Sequence, residues 1–287
     1  MTTRRNFLLG AAAMAAASPC VAQARIPLGL QLYTVRQDLD KDFDGTIKKV
    51  REIGIRHVQA NLTQNDRAPQ QQRKLYDSLG ISWESIHSGG DALRTTPQAT
   101  IDEAKAAGIK NITCSFPLYP ADRVTFMAGP SVDDWKRNAD AFNKIGVLCQ
   151  KAGLSFAYHN HNVEFRKIGD LVPYDLLLKE TNPSLVQMEM DIGWVVAGGA
   201  DPLAYLRNYP NRYYSLHIKD LKNQEIPNTE MRMVSAIIGK GIVDWKAVLA
   251  AARKTRVERA FLEIEEPYNP SPLEMVRQSF DYLHGHI

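Results

Sequence analysis

Eight times after Ile26, a short run rich in β-branched or aromatic residues gives way to a longer stretch whose apolar residues recur with helical period. The strand-like runs fall at 28–34, 56–61, 81–87, 110–116, 154–161, 185–191, 212–219 and 258–265. Between them, residues 43–53 set Phe43, Ile47, Val50 and Ile53 on one helical face, and residues 135–152 do the same with Phe142, Ile145 and Leu148. Gly54, Gly80, Gly108 and Gly153 each precede a strand, where a helix ends most readily on a left-handed residue. Eight such units in about 260 residues predict one (β/α)8 barrel, with its site at the C-terminal ends of the strands. An open doubly wound sheet would want a Gly-rich phosphate loop after the first strand, and LYTVR at 32–36 offers none. The longest irregular stretches, 117–130 and 221–238, follow strands and are expected as loops over the barrel mouth.

Residues 1–24 stand outside this pattern. TRRNFLL at 3–9 leads into an Ala-rich core of about 14 residues, too short to span a bilayer, and AQA at 22–24 matches a small-x-small cleavage site. Arg4 and Arg5 followed by Phe7 and Leu8 resemble a twin-arginine signal, which exports folded proteins. A buried Ala-rich helix is the alternative, and Cys20 behind Pro19 is a poor lipid-attachment site. The expected product is one barrel domain over 25–287, periplasmic or secreted, without a later apolar run long enough to hold it in a membrane. Its Cys114 and Cys149 lack a CxxC spacing and lie in a strand-like run and a helical pattern, so buried free thiols are expected. Lysine and arginine number 35 against 32 acidic residues. The net charge of +3 falls to about +1 without Arg4 and Arg5, and gives no reason to expect a nucleic-acid partner.

Residues two apart in a strand share a face, and this selects the groups that meet at the rim. The fifth run ends with His159 and His161 on one face and Glu164 three residues on; the sixth ends with Glu189 and Asp191. The seventh brings His217 and Lys219, the eighth Glu263 and Glu265. Imidazoles and carboxylates converging from four strands suit one divalent cation such as Mn, Co, Zn, Fe or Ni. The alternative is a purely hydrogen-bonded mouth in which Lys219 and Arg232 pair with the carboxylates.

The strings LGLQLYT at 28–34, YHNH at 158–161, DIGW at 191–194, LHIKD at 216–220, GKGIVDW at 239–245 and FLEIE at 261–265 resemble the xylose isomerase-like TIM-barrel proteins, the sugar phosphate isomerase/epimerase superfamily. That resemblance covers essentially the whole chain after the leader. It implies a metal held from the fifth, sixth, seventh and eighth strands, here His159, Asp191, His217 and Glu263. Many epimerases of the family carry Glu where His159 stands, and relatives often carry Glu at the position of Gln59. Both departures remove a carboxylate from the rim.

The expected reaction is metal-assisted proton abstraction beside a sugar carbonyl, through an enediolate, as an isomerase or epimerase. Glu263 would exchange the proton with His159 or His161, and Lys219 would stabilise charge on a substrate oxygen or pair with Asp220 or Glu265. Gln31, Tyr33, His87, Glu164, Trp194 and Glu265 are the expected contacts of a carbohydrate substrate, while Trp245 is expected to pack. A lyase or hydratase acting on keto-sugars, keto-glycosides or inososes is the second reading, favoured by His159 and by export, since sugar phosphates are cytoplasmic. A sugar-binding protein without turnover is the third. Mn is the expected ion, because twin-arginine export permits loading before export, and a homodimer is the expected assembly.

Overall fold

The computed structural model describes residues 25–64 and 66–285, so the expected leader, Cys20 included, lies outside them. Eight parallel strands close into a barrel: β1 (Leu28–Gln31), β2 (His57–Ala60), β3 (Ser82–Ser88), β4 (Asn111–Cys114), β5 (Ser155–His159), β6 (Gln187–Asp191), β7 (Tyr213–Ile218) and β8 (Arg259–Leu262). Each pairs with the next in the chain and β8 pairs with β1, so the fold is the expected single TIM barrel. Among the described residues, no helix is long and apolar enough to cross a membrane. Cys114 and Cys149 are free and buried, and burial pushes both thiols up to about 12.

Local chemistry explains where the helices begin and end. Phe43–Ile53 starts at Asp42, whose Oδ1 accepts the Gly45 amide at 2.9 Å, and stops at Gly54 with φ of 110°. The long helix Val132–Ala152 opens on a reciprocal pair in which Ser131 Oγ takes the Asp134 amide and Asp134 Oδ2 takes the Ser131 amide. Phe43, Ile47 and Val50 of the first and Trp135, Phe142 and Ile145 of the second are buried against the barrel. The first strand is shorter than expected. Gln31 Oε1 accepts the Tyr33 amide and turns Leu32–Val35 into a 3₁₀ turn feeding the helix Arg36–Lys41. The two irregular stretches also carry structure: a short helix at Arg123–Ala128, and a ribbon pairing Asp220–Leu221 with Ser235–Ala236.

Two bulges set what faces inward. The pairing of β2 with β3 skips Glu84, and that of β6 with β7 skips Tyr214, which aligns Gln59 with Ser85 and Glu189 with Ser215. Glu84 then bridges the N-terminal end of the barrel, 2.6 Å from His57 Nδ1 and 3.1 Å from Arg259 Nε. The His57 hydrogen bond, against the cost of burial, brings Glu84 down to about 2. Its unfolded value is near 4.3, so this contribution is complete above that pH and fades as the pH falls toward 2. The group is only partly buried, and solvent screening limits the contribution to about 1–2 kcal/mol. Glu84→Gln should therefore flatten the loss of stability between pH 4.5 and 2, as read by urea unfolding at several pH values. An unchanged acid slope would remove the ion pair from the stability of this end.

Candidate active site at the C-terminal rim

Asp191, the last residue of β6, caps the short helix Ile192–Ala197: its Oδ1 accepts the Trp194 amide at 2.9 Å. That bond fixes Oδ2 toward the barrel axis, where it is buried and accepts no aligned hydrogen bond, although Lys219 Nζ stands 3.0 Å away. His217 Nδ1 lies 3.8 Å from the same oxygen and 2.8 Å from Glu263 Oε2. Lys219 Nζ completes the group at 2.9 Å from Glu263 Oε2 and 2.5 Å from Glu265 Oε1. Ligating atoms of Asp191, His217 and Glu263 all fall within 4.8 Å of one another. His159 Nε2 approaches Asp191 Oδ2 at 3.9 Å. Three of the four expected ligands thus converge, and His159 stands beside them with its Nδ1 turned to Glu189.

A second group lies one layer deeper. Glu189 is fully buried, and its Oε1 meets His87 Nε2 at 2.7 Å, His217 Nε2 at 3.0 Å and His159 Nδ1 at 3.3 Å. Its Oε2 accepts from Ser215 Oγ at 2.6 Å and Gln59 Nε2 at 3.0 Å. Gln59 Oε1 also sits 2.6 Å from His217 Nε2 and accepts from Gln31 Nε2. None of the polar side-chain atoms of His87, His159, Glu189 and His217 is left buried without a partner, so they form a hydrogen-bonded network even though their spacing would admit an ion. The outer group is different. Asp191 Oδ2 accepts no aligned hydrogen bond and is met at close range only by the charge of Lys219, and hard oxygen with borderline nitrogen donors is the chemistry a divalent transition metal takes. The spacing of Asp191, His217 and Glu263 would admit such an ion, with His159 beside them and Glu189 beneath, in contact with one nitrogen of each imidazole.

Electrostatics follow from this layering. Burial works against charge on His217, but Glu189 and Glu263 outweigh it and raise the imidazole to about 10. His159, buried beside that cation, falls to about 3, and His161 is pushed well down by burial and by His159 and Lys219. Burial raises Asp191 to about 6 against the pull of Lys219 and His217. Glu263 faces the same two cations more closely and is held well below the usual carboxylate range despite burial.

The mouth cavity above these groups measures about 670 Å³. Tyr33, His87, His159, His161, Trp194, Lys219, Glu263 and Glu265 line it as expected. Gln31 borders it too, but both its amide ends are engaged inside the protein, so it positions Gln59 rather than presenting a free contact. His87 is similarly drawn to Glu189. Glu164 is a correction. The 3₁₀ turn Val163–Phe165 folds it away from the cavity, where it accepts from the Tyr158 hydroxyl and the His161 amide, and burial raises it to about 7. Arg232 pairs with Glu230 at the surface and leaves the carboxylates to Lys219. Asp220 is no partner of Lys219 either: its carboxylate takes the amides of Leu221, Gly239, Gly241 and Val243 and the buried Trp245 indole. Sequence reasoning placed Glu189 on the inward face without giving it a role, and missed Asn160, whose Oδ1 accepts the Asp191 amide at 3.1 Å and ties β5 to β6. Its position between two rim histidines was the available signal.

The model of the xylose isomerase-like TIM barrel family matches residues 47–285. The chain belongs to this family. It is similar to the inosose dehydratase of Clostridium tetani, at 28% identity over 163 residues, 53% of this chain and 54% of that protein. It is also similar to inosose dehydratase 1 of Bacillus cereus, at 33% over 104 residues, 34% of this chain and 32% of that protein. The matched regions thus span about half or less of these curated relatives. Among solved structures, a sugar phosphate isomerase/epimerase from Parabacteroides distasonis ATCC 8503 superposes with a TM-score of 0.75 at 23% identity, covering 94% of this chain and 98% of that one. The IolI protein with a bound zinc atom gives 0.71 at 13%, covering 91% and 99%. These two likenesses concern the fold.

Proposed function

We propose that this family member is a metal-dependent enzyme that removes the proton beside the carbonyl of a keto-sugar or inosose and then expels a β-hydroxyl as water. The observation that carries this reading is the asymmetry of the rim: the carboxylate of Glu263 stands on one side, whereas the β5 position offers the imidazole of His159 instead of a second carboxylate. Epimerisation needs proton transfer on both faces of one carbon. Elimination needs a single base, which can return its proton to the leaving oxygen. The inosose dehydratases among the curated relatives support the same outcome. A bound divalent cation, held by His159, Asp191, His217 and Glu263, would supply Lewis-acid stabilisation of the developing oxyanion.

The protein's own groups do the rest. A Glu263 oxygen accepts the carbon-bound proton, and the electron pair moves onto the carbonyl. As the carbonyl re-forms, the β C–O bond breaks and that oxygen takes the proton, leaving an enone and water. A positioned base is worth about 10²–10⁴-fold. Lys219, held protonated by Asp191, Glu263 and Glu265 against the cost of burial, directs positive charge at a substrate oxygen. Trp194 and His161 line the cavity, and the Trp194 indole N–H and His161 Nδ1 are buried in its wall without hydrogen-bond partners. The twin-arginine-like leader supports a periplasmic or secreted location, unphosphorylated substrates and Mn as the ion, and a homodimer is the assembly we propose.

The test is incubation of Mn-loaded protein with an inosose, a free ketohexose or a 3-keto-glycoside in D₂O, followed by NMR. Loss of the β oxygen substituent is expected, as water from the inosose or ketohexose and as the aglycone alcohol from the 3-keto-glycoside, with solvent deuterium entering at the carbon that bore it when the enol ketonises. Exchange without elimination would replace the dehydratase reading with isomerisation or epimerisation, and no exchange on any of them would leave a sugar-binding protein.

A further inference from the structure

The aromatic residues of the mouth do not stop at its edge. His161 packs its ring against Phe116, with centroids 5.1 Å apart, and Phe116 packs against Phe126 at 4.9 Å. This row leads out of the mouth into a neighbouring cavity of about 700 Å³ that shares Gly89, Ser115, Phe116 and Met231 with it. Leu118, Phe126 and Met127 continue the apolar wall there, and Met127 is 46% exposed. Together the two spaces exceed what one sugar ring fills, since each alone falls in the range of a pocket for a drug-sized ligand. The compartment beside Trp194 carries Met233 and Val234 but no aromatic face beyond Trp194, with Gln224, Glu225, Asn228 and Thr229 around them. The Phe116 side also carries Asp91, Asp122 and Arg123, and differs by adding the aromatic faces of Phe116 and Phe126 to its apolar wall.

We infer, resting on the enolisation reading above, that the substrate is a glycoside: its keto-sugar ring lies over Glu263 and Lys219, and an apolar, ring-bearing aglycone lies along Phe116, Phe126 and Met127. The aglycone covers the exposed apolar wall and stacks on the aromatic row, which selects it over a small alkyl substituent.

Binding to the metal-loaded protein tests this without turnover. Phenyl β-D-glucopyranoside and methyl β-D-glucopyranoside lack the carbonyl and cannot react, so their dissociation constants can be compared by calorimetry. The phenyl glucoside should bind about tenfold more tightly. Met127→Asp should bring that ratio close to one, whereas Val124→Asp, on an 82% exposed residue outside the compartment, should leave it unchanged. Thermal midpoints verify that both variants fold. A wild-type ratio within twofold, or a ratio insensitive to Met127→Asp, overturns the subsite. Tighter binding of methyl β-cellobioside than of the phenyl glucoside overturns it in favour of a second sugar. The two readings fail separately: deuterium exchange with a ratio near one sinks only the aglycone subsite, and a tenfold ratio without exchange sinks only the enolisation.

Discussion

Asp191→Asn should yield a folded protein that has lost stoichiometric divalent metal, with affinity down by about 100-fold or more and proton exchange down by roughly 10³-fold. The reasoning separates the two oxygens of this side chain. Oδ1 caps the helix Ile192–Ala197 through the Trp194 amide, and asparagine caps a helix about as well as aspartate. The helix and the end of β6 therefore keep their anchor. Oδ2 accepts no aligned hydrogen bond and faces His217, His159 and Lys219. Replacing it with an amide removes a ligand and its charge while Lys219 keeps Glu263 and Glu265. Elemental analysis of wild type and variant after identical Mn loading, with circular dichroism as the check on folding, decides the matter. One tightly held ion per chain in the variant would move the metal elsewhere or leave the rim a hydrogen-bonded mouth.

Glu189→Gln is expected to be the most damaging conservative change at the site. The fully buried carboxylate accepts from three imidazoles, Gln59 and Ser215. An amide would turn two N–H donors toward groups that are themselves donating. Breaking a buried charged network in this way costs about 3–5 kcal/mol, which for a barrel of this size lowers the thermal midpoint by on the order of 10 °C. Metal affinity should fall about 10–100-fold, because Glu189 fixes the orientation of the His159 and His217 rings. Calorimetry of the metal-free protein reads the first effect. Ring nitrogen shifts read the second, with His159 passing from one tautomer to a mixture. A variant that melts with the wild type and keeps the His159 tautomer would make Glu189 a bystander.

These two carboxylates show where sequence legibility ended. Asp191 was readable because it closes a strand-like run beside matching groups on neighbouring runs, and strand ends collect at one rim in any parallel barrel. The helix Phe43–Ile53 was readable to the residue because its apolar period, Asp42 cap and Gly54 stop agree. Glu189 was legible only as an inward residue. Its partners come from β2, β3, β5 and β7, and their heights depend on the bulges at Glu84 and Tyr214, which no local pattern announces. Glu164 failed for a related reason: strand periodicity was extended through 161, but the chain leaves β5 at His159 and turns. The leader, the exported location and the ion belong to the proposal, since the described residues begin at Arg25.

The Asp220 carboxylate and the ribbon it begins have a consequence for how this protein can change over time. Asp220–Leu221 pairs with Ser235–Ala236, and the Lys222 amide closes the base further on Val234 O at 2.9 Å. The segment 222–234, which includes Met231 at the junction of the cavities, therefore leaves and re-enters the barrel through one tied neck. Whatever is inserted above a closed neck adds only loop entropy, about 0.6 kcal/mol for each doubling of length, and leaves the eight strands and their ligands undisturbed. Variation in this segment can thus remodel what the mouth accepts while the chemistry beneath is inherited unchanged.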